Sequence, residues 1–242
     1  MNKIQDLSHP PNSRLQVMEY YLNIVIAIAV KDLRSEARGK AILATWSTFG
    51  LLIFLTFYIS INFFDYAYLS IAPTILWVAF AITGTMSLTQ GYNQEVELGG
   101  WQALLMSPIN HSAIYFGKLL SSVVVSLVAE IVILIGFSFV YDWPVDSLGV
   151  LLAMVLGTVG FVSVGVLGAA FVLDKQGKEL LLPLMVLPVI IPVIALAGQL
   201  TSLALTQAMS PEWNVIIVLL LGYDLIIVLG GAAAFSMITE LY

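Results

Sequence analysis

The chain has 242 residues, 60% hydrophobic and only 10% charged, with a mean hydropathy of +0.99 and a formal charge of -6. Soluble domains carry about 25% charged residues, so a water-soluble globule is excluded, and so are disordered and collagen-like chains. The lack of cysteine excludes disulfide scaffolds, thiolate metal sites and thiol redox chemistry, and the scattered Lys and Arg do not form a nucleic-acid surface.

Residues 1–14 are a polar tail ending His9-Pro10-Pro11-Asn12-Ser13-Arg14, without the apolar core of a signal peptide. Within residues 15–40 the apolar core runs only from Tyr20 to Val30 and contains Asn23. That is too short to cross about 30 Å of hydrocarbon. It leads into Lys31, Asp32, Arg34, Glu36, Arg38 and Lys40, while Val17, Met18, Tyr21, Ile24, Val25 and Ile28 recur at helical spacing. The pattern predicts a cytoplasmic-side amphipathic elbow helix, either lying in the headgroup plane or packed on the bundle.

Residues 41–242 read as a six-span transmembrane domain. Spans 41–64, 66–94, 148–173 and 180–209 are free of charge; span 119–141 is broken only by Glu130 and span 213–239 only by Asp224. The fold class is therefore an all-α membrane protein with six transmembrane helices after an interfacial helix. With the N-terminus inside, every Lys and Arg (Lys3, Arg14, Lys31, Arg34, Arg38, Lys40, Lys118, Lys175, Lys178) falls on the cytoplasmic side. The outer loops hold Asp65, Asp142, Asp146 and Glu212 and no base. The positive-inside rule thus predicts a multi-pass inner-membrane protein with both termini cytoplasmic.

The longest cytoplasmic connection, residues 91–112, contains Glu95, Glu97 and then Gly99-Gly100-Trp101-Gln102-Ala103-Leu104-Leu105-Met106-Ser107-Pro108. Trp101, Leu104 and Leu105 share one face of a short helix; Gly99-Gly100 allows a sharp start and Pro108 a stop. Six or so residues are not a stable helix in isolation, so this face needs a surface, either the bundle itself or a groove on another protein. No phosphate-binding loop exists in the sequence. If ATP drives the protein, a separate chain hydrolyses it, and this chain is not the enzyme.

At this loop the chain resembles the CcmB family, the haem exporter protein B subunits of cytochrome c maturation. The resemblance is carried by Ala72-Pro73-Thr74-Ile75-Leu76-Trp77-Val78, by Glu97 through Pro108, by Ile114-Tyr115-Phe116-Gly117-Lys118, and by Leu187-Pro188 with Ile191-Pro192. Thr74 and Gln102 depart from the family pattern, which has Gly and an acid there. The resemblance implies an ABC-2-type permease paired with an ATPase subunit, CcmA, that binds ATP and Mg. It also implies a complex with CcmC and CcmD, present as a homodimer or heteromer in membrane lipid, that releases the haem-loaded chaperone CcmE or exports haem. The coupling residues it implies are Glu95, Glu97, Gly100, Trp101, Leu104, Leu105 and Pro108. An ABC-2 exporter of another substrate is the alternative.

Haem iron takes His, Met, Cys or Tyr as axial ligand. His9 and His111 both fall on the cytoplasmic side, and Met86, Met154 and Met185 lie inside spans as packing. No cofactor is therefore expected on this chain; haem is handled by the complex. Pro73 and Trp77 fall toward the outer end of the second span, where aromatic side chains anchor at the interface. Pro183, Pro188 and Pro192 predict bends in the fifth span. Glu130 and Asp224 each lie 11 residues from the outer boundary (141 to 130, 213 to 224), about 16 Å deep. An ionised acid there costs about 2.5–3.5 kcal/mol, so each must be protonated, hydrated, hydrogen-bonded or paired. A proton-coupled secondary transporter using these two acids is the reading from another class. Small residues Gly157, Gly160, Gly165, Gly168 and Ala169 in the fourth span predict close helix approach.

Overall fold

A computed structural model describes residues 14–39, 44, 48–53, 55–56, 59, 68–141, 147–172, 178–205 and 211–239. Its helices are α1 (Arg14–Gly39), α2 (Tyr68–Glu97), α3 (Gly100–Leu105), α4 (His111–Tyr141), α5 (Leu148–Val172), α6 (Lys178–Leu205) and α7 (Pro211–Thr239). Among the described residues, five helices (α2, α4, α5, α6 and α7) are long and apolar enough to cross a membrane. Most of the first expected span, 41–64, lies outside the described residues, as does the tail 1–13. The described parts of that span are helical, and Leu51 reaches the backbone of α4 at Gly136.

The central helix is α5, buried on nearly every side and packed against α4, α6 and α7. Its small residues decide this. Gly157 receives the Trp77 indole and Ala197, Gly160 receives Asp224 and Val193, Gly165 receives Leu88, and Gly168 receives Val186. The small-residue face therefore brings helices of this one chain together. α7 is the opposite case: only its inner stripe of Ile216, Leu220, Asp224, Gly231, Ala232, Phe235 and Thr239 is buried. Val218, Leu225 and Ile226 face outward, as suits a helix bordered by lipid. Hydroxyls inside the bundle bond back to their own helices, Thr83 to the Ala79 carbonyl at 2.6 Å and Thr201 to that of Ala197 at 2.7 Å, which removes the cost of burying them.

The structure revises several expectations. α2 continues to Glu97 rather than ending at 94, so Glu95 and Glu97 sit on the last turn of a long helix and the connection shortens. α1 is helical over Arg14–Gly39 and runs alongside the first turns of α4 in the same direction. The successive meetings are Tyr21 with Ser112 at 2.9 Å, Ile28 with Gly117, and Asp32 with Lys118 and Ser121. Val25, Ile28 and Ala29 are spent on this packing, while Val17 and Met18 stay exposed. Trp77 is not an interface anchor. It is 2% exposed, nine residues into α2, and its Nε1–H donates to Thr201 Oγ1 at 2.9 Å; Gly157 has no side chain to keep the ring out. Pro73 beside it is also buried. Met86 and Met185 face outward, leaving Met154 as the packed one of the three. α6 remains one helix through Pro183, Pro188 and Pro192, with Pro188 and Pro192 on its exposed side.

Candidate functional site

The α2–α3–α4 corner is the candidate site. Gly99 precedes α3 with φ 72, a left-handed conformation that a side chain would strain, and this turns the chain sharply off α2. The Met106 N–H bonds back to the Gln102 carbonyl at 3.0 Å, closing the helix two residues before Pro108. Asn110 Oδ1 then accepts the Ser112 N–H at 3.0 Å and starts α4 at His111.

Trp101 turns inward and is 4% exposed. Its ring lies 5.8 Å from that of Tyr92 and 6.0 Å from that of Phe235, both edge-on, and Phe235 in turn lies 5.7 Å from Tyr115. Leu104 and Leu105 are partly buried against the same core. The apolar face read from the sequence is thus covered by the bundle, and a partner cannot reach Trp101. The outward face of this corner consists of Leu98 and Met106, 78% and 80% exposed, with Glu97, Gln102, Ala103 and Pro108. Leu98 and Met106 fall outside the sequence-derived set, because periodicity marks an apolar face without saying what covers it.

Lys118 is the residue that ties this corner together. Its side chain is 4% exposed, and it bonds Asp32 Oδ2 of α1 at 3.2 Å and Glu95 Oε2 of α2 by a short contact. The ammonium also lies 5.5 Å from the centre of the Tyr92 ring and 5.4 Å from that of Trp101. Lys31 completes a square, bonding Asp32 Oδ1 at 3.0 Å and Glu95 Oε1 at 2.9 Å. Burial alone would lower the Lys31 pKa. The hydrogen bond and charge of Glu95, with those of Asp32, outweigh it and hold the ammonium above its ordinary 10.5. Four helices (α1, α2, α3 and α4) therefore meet at one neutral cluster of two acids and two bases, and Trp101 links it to α7.

The intramembrane acids sit apart from this corner. Glu130 meets Thr158 Oγ1 at 2.6 Å, and Asp224 lies against Gly160. Since Thr158 and Gly160 are two residues apart on α5, about 3 Å along its axis, the acids occupy the same level, as counted from the sequence. Thr158 also lies 2.6 Å from the Met154 carbonyl. One hydroxyl hydrogen cannot serve two acceptors; both contacts are satisfied when a protonated Glu130 donates to Thr158 and Thr158 donates to Met154. Asp224 is buried, and its carboxylate has no hydrogen-bond partner among the described residues.

Comparison with known proteins bears on the whole chain. The family model for the CcmB protein matches residues 23–239, nearly all of it. The chain belongs to the CcmB family. A curated relative, heme exporter protein B of Pseudomonas aeruginosa, is 25% identical over 177 residues, covering 73% of this chain and 79% of the relative. This CcmB protein is accordingly an integral membrane protein.

Proposed function

We propose that this CcmB protein is the permease subunit of an ATP-driven complex in the bacterial inner membrane. A separate ATPase subunit of the CcmA kind would bind ATP and Mg and supply the work. The relative's name, heme exporter protein B, supports a role in haem handling. In this reading the complex includes CcmC and CcmD and either releases the haem-loaded chaperone CcmE or exports haem. The clustering of Lys31 and Lys118 beside α3 supports placing that corner, and both termini, on the cytoplasmic side.

One observation carries the coupling role: α3 has two faces with different work. Leu98, Gln102, Ala103 and Met106 point outward, where an ATPase groove can hold them. Trp101 points inward and is locked to α2, α4 and α7 through Tyr92, Lys118 and Phe235. A push on the outer face is then delivered to three long helices by packing that is too dense to absorb it. Glu130, with a hydroxyl partner of its own, needs no proton-transport role to explain its burial. The test is co-purification of the ATPase subunit with this chain. Leu98→Glu with Met106→Glu should abolish it while membrane insertion stays normal, and full recovery of the ATPase with that double variant would refute the reading.

A further inference from the structure

The Lys118 cluster stands at the mouth of a cavity of about 460 Å³ between α1, α2 and α4. Its lining includes Leu98 and Lys31, both open to solvent, so the space is continuous with the medium on the α3 side. At about 30 Å³ per molecule, it holds far more than one or two waters. Its wall deepens along two series of residues, each one helical turn from the last. On α2 these are Glu95, Gly91 and Ser87, and on α4 they are Lys118, Ser122 and Ser126.

The protein leaves part of this wall unsatisfied. A hydroxyl within a buried helix ordinarily bonds back to a carbonyl of its own helix, as Thr83, one turn beyond Ser87, does to Ala79. Ser87 does not. It is 1% exposed, and its hydroxyl, like that of the 6% exposed Tyr92, has no hydrogen-bond partner among the described residues. Leaving such groups unmet is unfavourable, and a space open to solvent meets them with water. The charges of the wall do not select a charged occupant. Lys31 and Lys118 already balance Asp32 and Glu95, and Glu36 is engaged in an interaction of its own.

We propose that the cavity is a water-filled inlet through which Glu130 exchanges its proton with the medium on the α3 side. Glu130 is the next member of the α4 series after Ser126, one turn and about 6 Å further along the axis. Its contacts with Thr158 are satisfied when it is protonated, and a carboxyl sealed in the bundle has no source for that proton. Water at Ser126 supplies one: the carboxyl gives its proton to a water and takes another back, so the charge of the bundle is unchanged. The inlet reaches no further. α5, behind Glu130, carries no charged residue. Asp224, the other acid at this level, lies on α7 against Gly160 and is not part of the wall. The exchange is therefore with one side only.

The chain has no cysteine, so one introduced thiol is the sole target for a membrane-impermeant methanethiosulfonate in sealed vesicles of either orientation. Leu98→Cys marks the α3 side, which keeps the test separate from the orientation and the ATPase role proposed above. Ser87→Cys and Ser126→Cys should react only where Leu98→Cys reacts. They should react about tenfold faster than Val128→Cys on the exposed apolar face of α4, because a thiol ionises in water and not among apolar groups. Reaction no faster than at position 128, or from the opposite side, would overturn the inlet. Exchange at Glu130 is read by infrared spectroscopy as the shift of its carboxyl band in deuterated water, the band being assigned by its loss in Glu130→Gln. Tethering the reagent at Ser126→Cys plugs the inlet in protein that has already folded. Exchange should then slow about tenfold, since water is left only local opening of the helices as a route. A rate indifferent to the plug, no exchange in the unplugged protein, or no carboxyl band lost in Glu130→Gln would refute the proposal.

Discussion

Replacing Lys118 by methionine removes one charge and keeps most of the stem. The side chain is 4% exposed and engages Asp32 and Glu95, themselves only 20% and 17% exposed. Removing one partner of a buried pair costs about 3–5 kcal/mol, mostly because the other charge is left uncompensated. Lys31 still bridges both acids and each keeps some water, so the lower end applies, about 3 kcal/mol. If the loss arises from uncompensated charge, neutralising the acids as well should reverse it. Lys118→Met with Asp32→Asn and Glu95→Gln should lie within about 1 kcal/mol of wild type, since a neutral set of similar shape replaces an ion cluster at little cost. Unfolding by denaturing detergent in mixed micelles, followed by far-ultraviolet circular dichroism, measures both. A single variant within about 0.5 kcal/mol of wild type, or a triple variant no better than the single, would refute the role given to the cluster.

Three further outcomes are expected. Glu130→Gln should leave stability within about 1 kcal/mol, because the amide can take the carboxyl's place opposite Thr158, whereas Thr158→Val should cost about 1–3 kcal/mol by stranding Glu130; a cost-free Thr158→Val in detergent unfolding would refute that pairing. Gly157→Val should cost about 1–3 kcal/mol by overpacking against the Trp77 indole and Ala197, and a double variant with Trp77→Phe should recover part of it, so strict additivity in the cycle would argue against that contact. Lys31 has a raised pKa in the fold, so its contribution is complete below about pH 10.5 and fades as pH climbs through the higher folded value. A Lys31→Met variant should therefore lose its stability difference from wild type above that window, and a difference that grows with alkaline pH would contradict the assignment.

The helices were legible because their signals are local. A run of apolar residues sets each span, and the rigid 1.5 Å rise alone puts Glu130 and Asp224 at one depth. Gly99-Gly100 and Pro108 marked α3 for the same reason. What faces each helix was not legible, because it is decided by residues far away in the chain. Trp77 reads locally as an interface aromatic, and it is Gly157 and Thr201, 80 and 124 residues on, that bury it. The face of Trp101 was recognisable as apolar, but Phe235 covers it from the far end of the sequence. Lys118 read as one more inside charge. A lysine at the head of the span 119–141 signals that an acid must come to it, yet nothing local names Asp32 and Glu95. Leu98 and Met106 flank α3 on either side, beyond Gly99 and Leu105, on the side the bundle leaves open, and nothing local says which apolar side chains stay uncovered.

Site-specific photo-crosslinking tests the two-faced lever most directly. A benzophenone amino acid placed at position 98 or 106, in the complex assembled with the proposed ATPase subunit, should give an adduct with that subunit. The same group at the outward-facing position of Leu120 on α4 should give none. If neither 98 nor 106 reaches the ATPase while the assembled complex still hydrolyses ATP and matures cytochrome c, α3 is not where the work enters.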